Sequence, residues 1–317
     1  MPVTLNLRPM KKRHSEHSPI VEVDASGAST QIGTTAAFTS VDSSPYAEIK
    51  GRALSLVDLF ESHGLKLRKS PSLTQLFNMT VEMSNSWDRD LKDDVTFPHL
   101  LAAAQVERIA TAALAVAEVP SSILRSLLTG SLNLLGRERS KAKDTLWELE
   151  LFRILVDHHI DARLDEPDLS VRFYGAPVGF ACKKIYSEAN VSKVLSTAVS
   201  QIKREGEFGI IALNLDDLLP ENAILKAPTL AVMLSMLEER INAFLRAQER
   251  YLRKYLTSGR AISALVSCGA IAHVETAENR FMNARQTIVW QVPGIPEAKA
   301  EQMNQFLNAI NAQYVAT

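Results

Sequence analysis

The sequence has few cysteines, few aromatic residues and no long apolar run. Its two cysteines, Cys182 and Cys268, stand far apart without CxxC spacing, which argues against a disulfide framework or a zinc site. No stretch approaches the roughly 18 apolar residues that span a bilayer, and the N-terminus lacks the apolar core of a secretory signal. We therefore expect a cytoplasmic protein that does not associate with membranes.

The chain also lacks an excess of charge of either sign. Its 317 residues include 35 basic and 36 acidic side chains, which give a formal charge of −1 at pH 7. Affinity for nucleic acid must then come from a local basic patch rather than from the field of the whole protein. GxGxxG, P-loop and GxSxG motifs are absent, so the sequence gives no support to a nucleotide-binding protein or a serine hydrolase of those types.

What the chain does contain is a change of pattern along its length. Residues 1–46 are rich in Ser, Thr, Ala and Gly without regular periodicity, and we expect a flexible N-terminal segment. Residues 47–136 carry apolar side chains at helical spacing, which predicts a helical module. Residues 137–317 alternate helical and strand patterns, which predicts an α/β domain around a central mixed sheet.

The segment PDLSVRFYGAPVGFACKKI, residues 167–185, predicts a β-hairpin with its turn at residues 174–177. In this register Asp168 lies opposite Lys183. Because side chains alternate between the two faces of a strand, Asp168, Ala181 and Lys183 share one small, polar face. The opposite face is apolar and is predicted to enter the core with Leu169, Val171, Phe173, Val178, Phe180 and Cys182.

The Pro167–Asp168 pair, the hairpin, the strand FACKKI, the helix that carries Gln201 and the strand GIIALNL together resemble the PD-(D/E)xK nuclease superfamily. This resemblance implies a restriction-endonuclease-like α/β sandwich and Mg²⁺-dependent hydrolysis of DNA phosphodiester bonds, in repair or defence. It implies that Asp168 binds the metal ion and that Lys183 orients or activates the attacking water. Cys182 would add its backbone carbonyl to the metal ligands, and Gln201 would contact phosphate or a metal-bound water.

The sequence departs from this family at Ala181, which stands where the family has an acid two residues before the lysine. In many members a glutamate on the helix before the hairpin contributes to the site, and here the helix TLWELELFRILVDHHI carries Glu148 and Glu150. Both lie at the edge of an apolar helix face, and we prefer Glu148 by a small margin. Two acids can suffice because Mg²⁺ keeps several waters and also binds substrate phosphate.

The missing acid leaves a second function open, namely a nuclease-fold protein that no longer cleaves and instead binds nucleic acid or another protein. An unrelated α/β interaction protein is a third hypothesis. Cleavage and binding without cleavage cannot be separated by the sequence pattern, because one lost ligand accompanies decay of a site as well as relocation of the acid.

A basic stripe is predicted on the long helix that runs from about Thr229 to Tyr255. Three arginines at i, i+4 and i+7 form it: Arg246, Arg250 and Arg253. A solvated helix face is the simpler interpretation, and contact with the DNA backbone is the alternative. The nuclease resemblance implies DNA as the partner, and a second copy of the chain is a further option.

Overall fold

The computed structural model describes residues 20–22, 34–67, 70–116, 119–165, 168–173, 176–205, 209–256, 261–277, 282–291 and 297–311. Within these ranges the protein is a mixed α/β structure with eight α-helices and one nine-stranded sheet. The strands are β1 (Ile20–Glu22), β2 (Thr34–Asp42), β3 (Ala162–Arg163), β4 (Leu169–Phe173), β5 (Ala176–Lys184), β6 (Gly209–Asn214), β7 (Ile224–Ala227), β8 (Ser263–Val274) and β9 (Met282–Trp290). The helices are α1 (Ile49–Ser62), α2 (Pro71–Asp88), α3 (Phe97–Leu114), α4 (Ser121–Leu127), α5 (Lys141–Asp157), α6 (Val191–Glu205), α7 (Leu230–Leu256) and α8 (Glu297–Asn311).

Strand β8 is the centre of the sheet. Its first half pairs in parallel with β6, and its last residues pair in parallel with β7, which carries β1. On its other edge β8 pairs antiparallel with β9, and β9 pairs with β2. From β6 the sheet continues through parallel β5 and antiparallel β4 to the short strand β3. Both β6 and β8 are buried over almost their whole length, as their continuous apolar sequences predict.

Helices cover both faces of this sheet. On one face Trp147 of α5 and Phe306 of α8 belong to the same buried cluster as Phe180 of β5, and side chains of α1 to α4 belong to it as well. On the opposite face α6 and α7 pack on the sheet, with Leu195 and Leu245 in one cluster with strand residues. The helical segment that precedes α5 therefore shares its core with the strands, while the division of the chain at residue 136 stays a prediction.

The expectation of a flexible segment over residues 1–46 is corrected by strand β2. Residues 34–42 pair antiparallel with β9, and Phe38 is only 1% exposed. The sequence TTAAFTSVD offers one large apolar side chain and no clear alternation. Its place in the sheet rests on backbone pairing with β9, which a search for hydrophobic periodicity does not detect. Most of the segment before residue 34 lies outside the described residues.

The hairpin forms, but its register differs from the prediction by two residues. Leu169 pairs with Phe180, so β5 begins at Ala176, and only residues 174 and 175 separate the two strands. Continuing this register places Asp168 opposite Ala181 instead of Lys183. A shift of two residues leaves every side chain on its predicted face. The buried members of the apolar face agree with the prediction: Leu169, Val171, Val178, Phe180 and Cys182. The side chain of Phe173, like all of Pro167, lies outside the described part of the chain.

Candidate active site

Three donors converge on the carboxylate of Asp168, the residue that directly precedes β4. The backbone N–H of Cys182 and the ammonium group of Lys183 both donate to Oδ2, at 2.7 and 3.0 Å. The side-chain amide of Gln201 donates to Oδ1 at 2.9 Å. The hairpin brings the β5 residues to Asp168, and α6, which connects β5 to its parallel neighbour β6, brings Gln201. These four predicted residues therefore meet in one cluster.

The ammonium group of Lys183 bridges two oxygens of the cluster. Besides Asp168, it donates to the backbone carbonyl of Cys182 at 2.8 Å. These are two of the oxygens that the family resemblance assigns to a metal ion, so the lysine places its positive charge among them. The side chains of Asp168 and Lys183 are 16% and 21% exposed, and the pair is thus open to solvent on one side.

The second lysine of the pair, Lys184, points to the other face of β5. It is buried, and its ammonium group contacts the carboxylate of Asp217 at 2.8 Å and the side-chain oxygen of Asn214 at 2.9 Å. Because Asn214 is the last residue of β6 and Asp217 follows this strand, Lys184 links the ends of two parallel strands. It takes no part in the Asp168 cluster.

The charge of Asp168 influences the pKa of Glu148 on α5. Its helix, α5, begins behind Ser140, whose hydroxyl accepts a hydrogen bond from the N–H of Ala142 at 3.2 Å. Burial and then the charge of Asp168 raise the pKa of Glu148 from 4.5 to about 7, although Lys141 and Lys183 act in the opposite direction. Glu148 therefore shares a partly desolvated region with a second carboxyl group, and both effects disfavour its ionised form.

The alternative acid, Glu150, belongs to a separate and fully buried ion network. Its Oε2 accepts hydrogen bonds from Arg108 at 3.0 Å and from Arg285 at 2.9 Å. Both arginines also donate to Asp216, which in addition accepts the backbone N–H of Gly269 at 2.7 Å. Burial alone would raise the pKa of Glu150, but the two arginines hold it below its usual value. With its oxygens engaged in this way, Glu150 is not a ligand candidate for the Asp168 site.

No pattern in the sequence predicts this ion network. Its members come from four distant parts of the chain, namely Arg108 on α3, Glu150 on α5, Asp216 after β6 and Arg285 on β9. Each is a single charged residue without a spaced partner, so no local signal marks it. The network fixes α3 and α5 against the carboxyl end of β6 and so holds the helix that carries Glu148.

Ala181 has no exposed surface. It packs in the apolar cluster beneath α6, together with Leu195 and Ala198. The alanine side chain supplies no oxygen to the site. Because position 181 is buried among apolar side chains, an acidic residue there would be stable only with a positive charge nearby.

The oxygen donors around Asp168 are of the type that Mg²⁺ prefers. The carboxylates of Asp168 and Glu148 and the carbonyl of Cys182 are hard oxygen ligands, and the charge of Asp168 already disfavours ionisation of Glu148, a cost that a cation would offset. Among the described residues no group of three or more His, Cys, Asp or Glu side chains could hold a metal ion. A cation at this site would thus rest on two carboxylates and a carbonyl, with water or phosphate completing its shell.

The arginine stripe of α7 is exposed as predicted. Arg246, Arg250 and Arg253 all reach solvent, and Arg253 forms an ion pair with Glu249 at 2.6 Å. On the inner side of the helix Leu237, Ile241 and Phe244 are buried. Contact of the stripe with DNA stays a prediction.

No protein-family model, curated protein or solved structure matches the chain. None of the described helices is both long and apolar enough to cross a bilayer. The function is therefore inferred from the residues of the Asp168 site and their surroundings.

Proposed function

We propose that the Asp168 site catalyses Mg²⁺-dependent hydrolysis of DNA phosphodiester bonds. The observation that carries this proposal is the convergence of Lys183, Gln201 and the Cys182 backbone on one carboxylate, at the point where the resemblance to PD-(D/E)xK nucleases expects them. Convergence of these three donors does not follow from the fold class alone, because strand ends and helix surfaces are usually solvated separately.

The order of elements around the site supports the same proposal. Helix α5, the antiparallel strands β3, β4 and β5, helix α6 and the parallel strand β6 follow one another from residue 141 to residue 214. The restriction-endonuclease-like fold proposed from the sequence requires such a helix, hairpin, helix and strand.

The residues of the chain have distinct roles in this proposal. Asp168, Glu148 and the Cys182 carbonyl would hold the cation, which supplies charge neutralisation at the scissile phosphate and an acidified water. Gln201 keeps Oδ1 of Asp168 in place through its amide N–H. With a cation bound at Asp168, the Lys183 ammonium would be free to donate to the attacking water or to a phosphate oxygen.

A cleavage assay tests this proposal. Plasmid and labelled oligonucleotides would be incubated with the purified chain in Mg²⁺, in Mn²⁺ and in EDTA. Cleavage should require a metal ion, and Asp168→Asn, Glu148→Gln and Lys183→Ala should each abolish it. Asp161→Asn, which changes an exposed acid before β3, serves as the matched control and should cleave normally.

The assay must be run well below the unfolding temperature of each variant. Asp168 accepts a backbone hydrogen bond as well as an ion pair, so Asp168→Asn should cost about 1–3 kcal/mol of stability in its own right. Cleavage that persists in EDTA, or that survives all three substitutions, would contradict the proposal.

The bridging lysine favours a second candidate function, in which the fold binds nucleic acid or protein without cleaving it. Lys183 already neutralises Asp168 and occupies the Cys182 carbonyl, and Ala181 supplies no acid. A site that is satisfied internally in this way gains less from a metal ion than one with two free carboxylates.

Ala181→Glu separates the two candidates. The new carboxylate would be buried next to Lys183, so the variant should lose several kcal/mol of stability in EDTA. If the site binds metal, Mn²⁺ should restore much of this loss, because a ligand that binds only the folded state raises its stability. Ala264→Glu is an equally buried control on β8 and should show no rescue. Absence of rescue at position 181 would favour binding without cleavage.

A further inference from the structure

A second cleft, of about 610 Å³, opens between the end of β2 and the helices α1, α3 and α5. It shares no lining residue with the Asp168 cluster. Its wall is mostly polar, and the side chains that matter below are Asp42, Ser44, Arg52, Glu107 and Arg153. These residues come from three separate segments of the chain, and no sequence pattern groups them.

Glu107 is the buried acid of this cleft, with a side chain that is 1% exposed. One of its oxygens, Oε1, accepts hydrogen bonds from the hydroxyl of Ser44 at 2.7 Å and from the guanidinium of Arg52. The other oxygen, Oε2, is equally buried and accepts no hydrogen bond from any residue that the structure describes. A buried carboxylate oxygen without a donor is unfavourable, so a donor supplied by a ligand would be favoured there.

The charges that line the cleft do not balance. Both arginines are engaged with acids: Arg52 with Glu107, and Arg153 with Asp42 at 3.0 Å and with Asp157 at 3.1 Å. Glu48 adds a further exposed acid to the wall.

Asp42 is the second largely buried acid of this cleft, with a side chain that is 17% exposed. Burial, together with the charges of Glu150 and Glu107, raises the pKa of Asp42 even though Arg153 acts against it. A positive charge entering the cleft is therefore favoured. Arg52 donates to Oε1 of Glu107 and to the hydroxyl of Thr111, and among the described residues it leaves Oε2 without a donor.

Apolar side chains at the rim narrow the class of ligand. Val41 and Leu114 both line the cleft, and with 36% and 37% of their surface exposed they offer apolar contact area to a ligand. Apolar surface beside these acids favours a cation that carries a carbon chain. We propose that this cleft binds an aliphatic amine, with its ammonium group at Glu107 and Asp42 and its carbon chain against Val41 and Leu114.

Titration calorimetry with the full chain tests this proposal at fixed ionic strength. Cadaverine is the probe, and pentane-1,5-diol, which has the same carbon chain with hydroxyl groups in place of the amines, is its uncharged match. Cadaverine should bind saturably with one molecule per chain. The diol should bind at least about tenfold more weakly, because it can donate to Oε2 but brings no charge.

Two variants locate the binding. Glu107→Gln should weaken cadaverine binding about tenfold or more, the loss expected when a charged hydrogen-bond partner becomes neutral. Because Glu107 is buried, thermal unfolding must first show that this variant folds. Ser55→Trp fills the cleft from an exposed position on α1 and should block binding, whereas Ser196→Trp, on an exposed part of α6, should not. Equal binding of amine and diol, or wild-type affinity in Ser55→Trp, would overturn the proposal.

Discussion

Replacing Glu148 by Gln should stabilise the folded protein at alkaline pH. Burial and the neighbouring Asp168 raise the pKa of Glu148 from 4.5 to about 7, so the folded state binds this proton more tightly than the unfolded chain does. Below pH 4.5 the group is protonated in both states and costs nothing. As the pH rises through the window from 4.5 to 7 the folded state loses stability, and above pH 7 the full cost remains.

The size of this cost follows from the shift. A difference of 2.5 between 7 and 4.5, at about 1.36 kcal/mol per unit, corresponds to about 3 kcal/mol. Water at the partly exposed site screens some of it, so we expect Glu148→Gln to gain about 1–3 kcal/mol at pH 8 and less than about 1 kcal/mol at pH 5. A cation held between Asp168 and Glu148 would offset the cost in the wild type, so saturating Mg²⁺ should remove the advantage of the variant.

Urea denaturation followed by tryptophan fluorescence measures both effects, at pH 5 and pH 8, in EDTA and in Mg²⁺. Glu61→Gln on α1 is the control, because it removes an exposed carboxylate away from any site. An equal effect of Glu148→Gln at the two pH values, or a loss of stability at pH 8, would refute the assignment of Glu148 as the electrostatic partner of Asp168. A gain that persists unchanged in Mg²⁺ would refute its role as a metal ligand.

Two other perturbations test the surroundings of the site. Arg285→Met should lower the free energy of unfolding in urea by about 3–5 kcal/mol, because it leaves Glu150 and Asp216 with Arg108 alone. The double variant with Glu150→Met keeps one balanced ion pair, between Arg108 and Asp216, and should lose less stability. An equal or larger loss in the double variant would contradict this. Replacing the three α7 arginines, Arg246, Arg250 and Arg253, with Ala should lower the salt dependence of DNA binding by about 0.9 per arginine, and an unchanged slope would leave them as solubilising charge.

The sequence was a good guide wherever side-chain alternation decides the outcome. The hairpin faces could be assigned because a strand has a period of two, and this assignment survived a shift of two residues in register. The register itself depends on how many residues the turn uses, and the segment YGAP is compatible with a two-residue as well as a four-residue connection. The meeting of Asp168 with Lys183 was therefore predicted correctly through the wrong pairing.

The choice between Glu148 and Glu150 could not be made from helical spacing, because the two residues differ only in what lies opposite them. Arg108 and Arg285 are 42 and 135 residues away from Glu150 along the chain, and only the tertiary fold brings them together. Buried ion pairs between residues that are distant along the chain produce no periodic pattern in the sequence. Lys184 is a further example, because a lysine at a strand end is usually solvated, whereas Lys184 is buried against Asp217.

The bridging position of Lys183 sets how strongly a metal ion can bind. A cation at Asp168 must displace an ammonium group that is held on the same chain, and it must also release a proton from Glu148 below about pH 7. Binding of Mg²⁺ or Mn²⁺ to the free protein should therefore be weak and should strengthen with rising pH.

Lys183→Ala frees Oδ2 of Asp168 and the Cys182 carbonyl from the ammonium group. This variant should therefore bind Mn²⁺ more tightly than the wild type in electron paramagnetic resonance titrations, although it should not cleave DNA. Substrate phosphate would act in the same direction, because it draws the lysine away from the carboxylate and adds oxygen ligands of its own. If neither Lys183→Ala nor added oligonucleotide increases Mn²⁺ binding, the two oxygens are partners of the lysine alone, and the site stabilises the hairpin.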